Sequence, residues 1–261
     1  MHTSFIESPT AGAVQKNILA TYFTMRGGMV LFSALFPFVL LFYSLWAHNW
    51  TLSESSISAY YGADDAAMRN YFVATLCVLG TLLAVYKGFS LLENILLKTA
   101  GVSVALVAFF PCQCWEGGRA KDFFHYAHDT VAVLFFASMI LVIELCAIDT
   151  ITMLDTNKLR KQFTYAYHAI AGSLLVAAVA SVVVNYISGL GRKSIFVPEM
   201  FAVLIFAVYW FVKSREFHHT AAEKKAAKGE IIKVQGKLYD ATKPAQMAAA
   251  AESSIENAKQ P

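Results

Sequence analysis

Runs of about 20 apolar residues recur along this chain, and few folds can accept them. The first, MVLFSALFPFVLLFYSLWA at residues 29–47, contains no charge. A helix rising about 1.5 Å per residue crosses the roughly 30 Å of bilayer hydrocarbon in about 20 residues. Lipid offers no partner to backbone N–H and C=O groups, so a spanning segment satisfies them within itself, as a helix. Pro37 inside the run is tolerable there, because neighbouring helices can meet the carbonyl it frees. A soluble chain of 261 residues has a core, but not one that hides several such runs. The composition agrees: 57% of residues are apolar and 15% charged, against roughly 25% charged in soluble domains.

Six spans are expected. Beside residues 29–47, whose helix can reach back to Ile18, they are 70–86, 95–111, 125–148, 163–188 and 195–212. Pro198 suits the first turn of the sixth, where a helix has no use for the missing N–H. Residues 1–17 are polar, and the run after them has no basic leader and passes into a full span, unlike a cleavable signal peptide. The bundle therefore takes residues 18–213, and a tail follows at 214–261. Lys16, Arg26, Lys87, Lys98, Lys158, Arg160, Lys161, Lys213 and Arg215 fall on one side. Arg69, Arg119, Lys121, Arg192 and Lys193 fall on the other, so the excess of basic residues makes the first side the cytoplasm. The expected fold is all-α: a polytopic integral membrane bundle of about six transmembrane helices, N and C termini cytoplasmic, in a bacterial inner membrane.

Net charge is +3 and the basic residues form no stripe, which speaks against nucleic acid as a partner. Membrane lipids are the expected partners, with other membrane subunits open. Cys77 and Cys146 lie inside apolar runs, where a thiol acts as a small hydrophobe. Cys112 and Cys114 stand one residue apart, too close for an unstrained bridge. The tail is polar and alanine-rich, which reads as solvated and adding little to the bundle; docking on a partner is the other reading. Weak alternation around Gly236 is compatible with a small hairpin.

Ionisable groups at membrane depth are costly, which makes them functional candidates. The fourth span begins HYAHDT, placing His125, His128 and Asp129 on one helical face. Two imidazoles and a carboxylate there suit a metal ion such as zinc, or an anionic head group. A capped, solvated helix start accounts for the same residues. Outer-face companions are Ser56 and Ser58 in the first loop, Asn185 at the end of the fifth span and Glu199 at the start of the sixth. Cys112 and Cys114 end the third, and as thiolates they would favour zinc or copper. If these converge, the outer ends of the spans line a polar cup.

The inner half holds Glu93, Asn94, Glu144, Tyr165, Tyr167 and His168. Glu144 reads as snorkelling or paired with a basic loop, and His168 as a packing residue. No retinal is expected, since every lysine sits at a span end, and no haem, since His128 and His168 lie at different depths.

SISAYYG (56–62), MRNYFVATLCVLGTLLAVYKG (68–88), AGVSVALVAFFPC (100–112) and HYAHDTVAVLFF (125–136) occur in an order that resembles a group of uncharacterised bacterial six-span proteins. That group is distantly similar to the DRAM and Frag-type eukaryotic families. The resemblance covers roughly the first 140 residues. It implies a six-span fold with outer-face polar residues and an association with lipid and GPI-anchor handling. A fainter resemblance is to the alkaline ceramidase and adiponectin-receptor hydrolases, which use Ser, Asp and His around zinc. It implies such roles for Ser56 or Ser58, Asp129, His125 and His128. The late H-x-x-x-H of that superfamily is absent, His218 and His219 being adjacent.

Two functions are carried forward. One is a membrane protein whose outer polar cup binds lipid head groups or a metal, extending to a lipid-modifying hydrolase if a zinc-bound water is activated. The other is an accessory or assembly subunit of a larger membrane complex, without catalysis. Small residues in the fifth span (AGSLLVAAVASVVV) permit close helix approach in either case.

Overall fold

A computed structural model describes residues 11–47, 56–62, 65–110, 123–187, 195–234 and 236–258, the side chains at 11, 123–126, 185–187 and 255–258 excepted. Helix α1 is Ala11–Ala47, and a short 3-10 turn, Ser58–Gly62, follows it. Helices α2 (Ala66–Val85), α3 (Leu91–Phe109), α4 (Phe123–Leu141), α5 (Asn157–Ile187) and α6 (Phe196–Thr220) complete the bundle. Six segments are long and apolar enough to cross a membrane. Phe42, Val133 and Val176 are more than half exposed on its flanks, a surface that suits lipid and not water. The protein is a multi-pass integral membrane protein.

Each helix packs on its neighbours in sequence, and α6 closes the ring on α1. The tightest approach is between α2 and α3. A Cβ on Gly101 would lie 2.5 Å from the Gly80 carbonyl oxygen and 2.7 Å from the Ala84 nitrogen, so only glycine lets these backbones meet. The turn between them is built from side chains. Ser90 accepts from the Glu93 amide at 3.0 Å, Glu93 accepts from the Phe89 amide at 2.7 Å, and Asn94 accepts from the Gly88 amide at 2.8 Å. Asp65 caps α2 by accepting from the Ala67 amide at 2.7 Å.

Two expectations need correction. The stretch 149–161, which the expected span bounds leave as a loop between the fourth and fifth spans, is largely helical: α4 widens into a π turn, Val142–Cys146, tightens into a 3-10 turn, Ala147–Met153, and α5 starts at Asn157. Apolar residues Ile151, Met153 and Leu154, all buried, hold this segment against the bundle.

The tail is the second correction. After α6 the chain turns at Ala221 (φ 50°) into α7, Ala222–Ala227. A hairpin follows, β1 (Ile231–Val234) and β2 (Lys237–Asp240), turning at Gly236 (φ 81°), with Ile231 opposite Asp240 and Val234 opposite Lys237. Helix α8 is Pro244–Ala258. Leu238 packs with Met153, Phe217 and Ala222 in a second small core. Thr152 donates to the Leu238 carbonyl, Gln246 donates to the Met153 carbonyl at 3.1 Å, and Lys243 pairs with Asp155. Composition suggested solvation because the apolar residues are few; Ala222, Leu238, Tyr239 and Ala250 are nevertheless buried.

Candidate functional site

The bundle has two polar ends, the tail end and the one opposite it. At the opposite end, Glu199 lies in the first turn of α6, where the exposed N–H groups of a helix start favour a carboxylate. Its Oε2 accepts from the Ser56 hydroxyl and from the Ile57 amide, each at 2.6 Å. Ser56 in turn accepts from the Ser58 amide at 3.1 Å. Ser56, Ala59 and Tyr60 are buried, and the Tyr60 hydroxyl donates to the Leu40 carbonyl at 3.2 Å, so the 3-10 turn is seated on the ends of α1 and α6. Ser56 and Glu199, far apart in sequence, are therefore direct partners. Ser58 takes part through its backbone.

His128 is 4% exposed, and its Nδ1 lies 2.8 Å from the Phe110 carbonyl oxygen. A carbonyl can only accept, so Nδ1 carries the proton in the neutral ring. Asp129 is exposed and within electrostatic range of Glu199. The expected single face is split here, because neighbours in sequence stand about 100° apart around a helix. The side chains of His125 and Asn185, and residues Cys112 and Cys114, lie outside the described set. Among the described residues no group of three His, Cys, Asp or Glu is close enough to hold a metal ion.

The tail end holds a network that the sequence reading missed. Lys213 and Glu216, one turn apart on α6, are 2% and 0% exposed. The Lys213 ammonium donates to the Ala147 carbonyl at 3.0 Å, to the Thr150 hydroxyl at 2.8 Å and to Glu216 Oε2 at 2.9 Å, using all three of its protons. Thr150 and Tyr167 both donate to Glu216. The ammonium also sits 4.6 Å from the centre of the Phe217 ring. Nearby, Arg26 on α1 pairs with Glu223 on α7, and its guanidinium lies over the Phe217 ring, 4.9 Å from the centre. The Tyr86 hydroxyl donates to Glu223 at 3.4 Å beside that pair.

Lys213 had counted only as a basic marker at a span end. The signal that could have found it is Glu216 three residues on, an acid on the same helical face. Its other partners, Thr150 and Tyr167, come from elements that no local pattern links to α6. Every polar atom of the lysine and its acid is satisfied, which describes a pin between helices more than a binding site.

A third polar contact was read differently from sequence. Glu144, in the π turn after α4, and His168 on α5 pair with each other, His168 Nδ1 to Glu144 Oε2 at 2.8 Å. Neither a basic loop nor simple packing accounts for them.

Comparison with known proteins adds a family and no closer relative. A family model described as "Protein of unknown function (DUF998)" matches residues 30–214. That stretch takes in Ser56, His128, Glu199 and Lys213, and stops short of Glu216 and the docked tail. No curated protein and no solved structure matches the chain.

Proposed function

The chain belongs to the DUF998 family, and we propose that this member binds a cationic group, a metal ion or a lipid amine, at the end of the bundle opposite the tail. The observation that supports this reading is the surroundings of Glu199. Its carboxylate meets a hydroxyl and backbone amides, and among the described residues no basic side chain pairs with it. Asp129 stands within range with the same sign. Two acids within electrostatic range at the end of an apolar bundle would draw a cation to that end. The order of preference among cations follows from chemistry: carboxylates and an imidazole suit zinc, and carboxylates alone suit an ammonium. The resemblance to the DRAM and Frag-type families supports the lipid amine as one ligand class. With the excess of basic residues on the tail end, the site would face away from the cytoplasm of a bacterial inner membrane.

The test uses the full chain in lipid nanodiscs. Zinc titration, and exchange of phosphatidylglycerol for phosphatidylethanolamine, should each be read by calorimetry and thermal unfolding. At least one of the two should bind and raise the unfolding temperature. Glu199→Gln should weaken that binding tenfold or more, while Glu144→Gln, remote from this end, leaves it unchanged. No binding of either cation to the parent chain would overturn the reading.

A further inference from the structure

Glu144 and His168 are ionisable, and they sit where lipid should be. The candidate span on α5 runs Asn157–Val184, with Arg160 and Lys161 near its start. At about 1.5 Å per residue, His168 stands roughly 10 Å inward of Lys161, within the hydrocarbon of a bilayer about 30 Å thick. It is nevertheless 53% exposed, and Glu144 is 34% exposed. The 2.8 Å contact between them joins the two, and among the described residues neither makes another hydrogen bond. The π turn Val142–Cys146 carries Glu144, and such wide turns recur at functional positions. An imidazole bonded through Nδ1 still has Nε2 to satisfy, and an acyl chain cannot satisfy it.

The same face holds a groove of about 600 Å³ between α5 and α6. It runs from His168 past Ala169, Gly172, Ser173 and Val176, with Pro198 and Phe201 across from them. A Cβ built on Gly172 meets nothing within 4 Å, so the helix surface is open there. Small residues along this line let another helix backbone approach closely.

We propose that a second copy of this chain docks on this face, with α5 packed against α5 about a two-fold axis along the membrane normal. The charges select this occupant. The patch carries one acid and one base at one depth, so a two-fold brings Glu144 of one copy to His168 of the other. Each imidazole then bridges two carboxylates, Nδ1 to its own and Nε2 to the opposite one, and no polar group is left facing lipid. A partner of different sequence would have to supply that complement separately, whereas the second copy carries it already.

The test is oxidative crosslinking in native membranes, on full-length chains whose four native cysteines are replaced by serine. Ser173→Cys should give a covalent dimer, and Val102→Cys, on the exposed face of α3, should not. Mass measurement of the parent chain in nanodiscs should find two copies of 28.7 kDa. Gly172→Leu should fold, since its side chain enters open space in the single chain, and should weaken dimerisation at least tenfold. His168→Leu should weaken it severalfold. A chain that stays single in nanodiscs with no Ser173→Cys crosslink overturns the proposal. So does a crosslink to a different protein, or a single chain that retains a lipid in the groove.

Discussion

Replacing Lys213 by methionine tests the account of the tail-end network most directly. Methionine keeps the length and apolar stem of the side chain, so the substitution removes the ammonium and little packing. Three hydrogen bonds at 2.8–3.0 Å are lost. The larger effect falls on Glu216, which is 0% exposed and keeps only the Thr150 and Tyr167 hydroxyls as partners. Removing one partner of a buried ion pair costs about 3–5 kcal/mol, because the other charge is left without compensation. At about 2–4 °C per kcal/mol for a domain of this size, the unfolding temperature should fall by roughly 6–20 °C. Fluorescence suits the assay, since Trp210 is buried against Tyr86 and Tyr209 on the same helix layer. The double variant Lys213→Met with Glu216→Leu removes both charges, and a buried pair exchanged for apolar residues is often near neutral. It should therefore be more stable than Lys213→Met alone. A loss under about 1 kcal/mol in the single variant would refute the reasoning, as would a double variant less stable than Lys213→Met alone.

Two further outcomes are expected in the same chain. Gly101→Ala should destabilise by about 1–3 kcal/mol in thermal unfolding, since its Cβ would press on the Gly80 carbonyl and the Ala84 nitrogen; Gly27→Ala, with nothing within 4 Å, should be neutral or slightly stabilising. The docked tail should loosen in acid. Asp240 is buried, which opposes its ionisation, but Lys225 at 2.7 Å and the Thr242 hydroxyl and amide outweigh burial and hold it below the ordinary 3.8. A lowered value in the folded chain means that the stabilisation is complete above about pH 4 and lost as pH falls through the folded value. Amide exchange in β1 and β2 should accelerate below that pH while exchange in α2 and α3 does not, and equal protection at pH 3 and pH 6 would contradict the assignment.

The parts of this protein that depend on one helix at a time could be read from its residues. Apolar length set the six spans, because a bilayer has a thickness and a helix has a rise. Gly236 marked the hairpin, since the turn there needs a positive φ. Glu199 and Ser56 could be named as companions because each ends or flanks a span on the same side of the membrane. What no local pattern carried was which faces meet. His128 and Asp129 are neighbours in sequence yet one is buried and the other exposed, a difference set by how α4 rotates against α3. Lys213 looked like one more interfacial lysine until Thr150, Tyr167 and Ala147 closed around it from α5 and the turn after α4. The tail looked soluble because solvation was judged by average composition. Its docking depends on where Leu238, Gln246 and Glu223 point, and those directions exist only once the hairpin has formed and the end of the bundle is there to receive it.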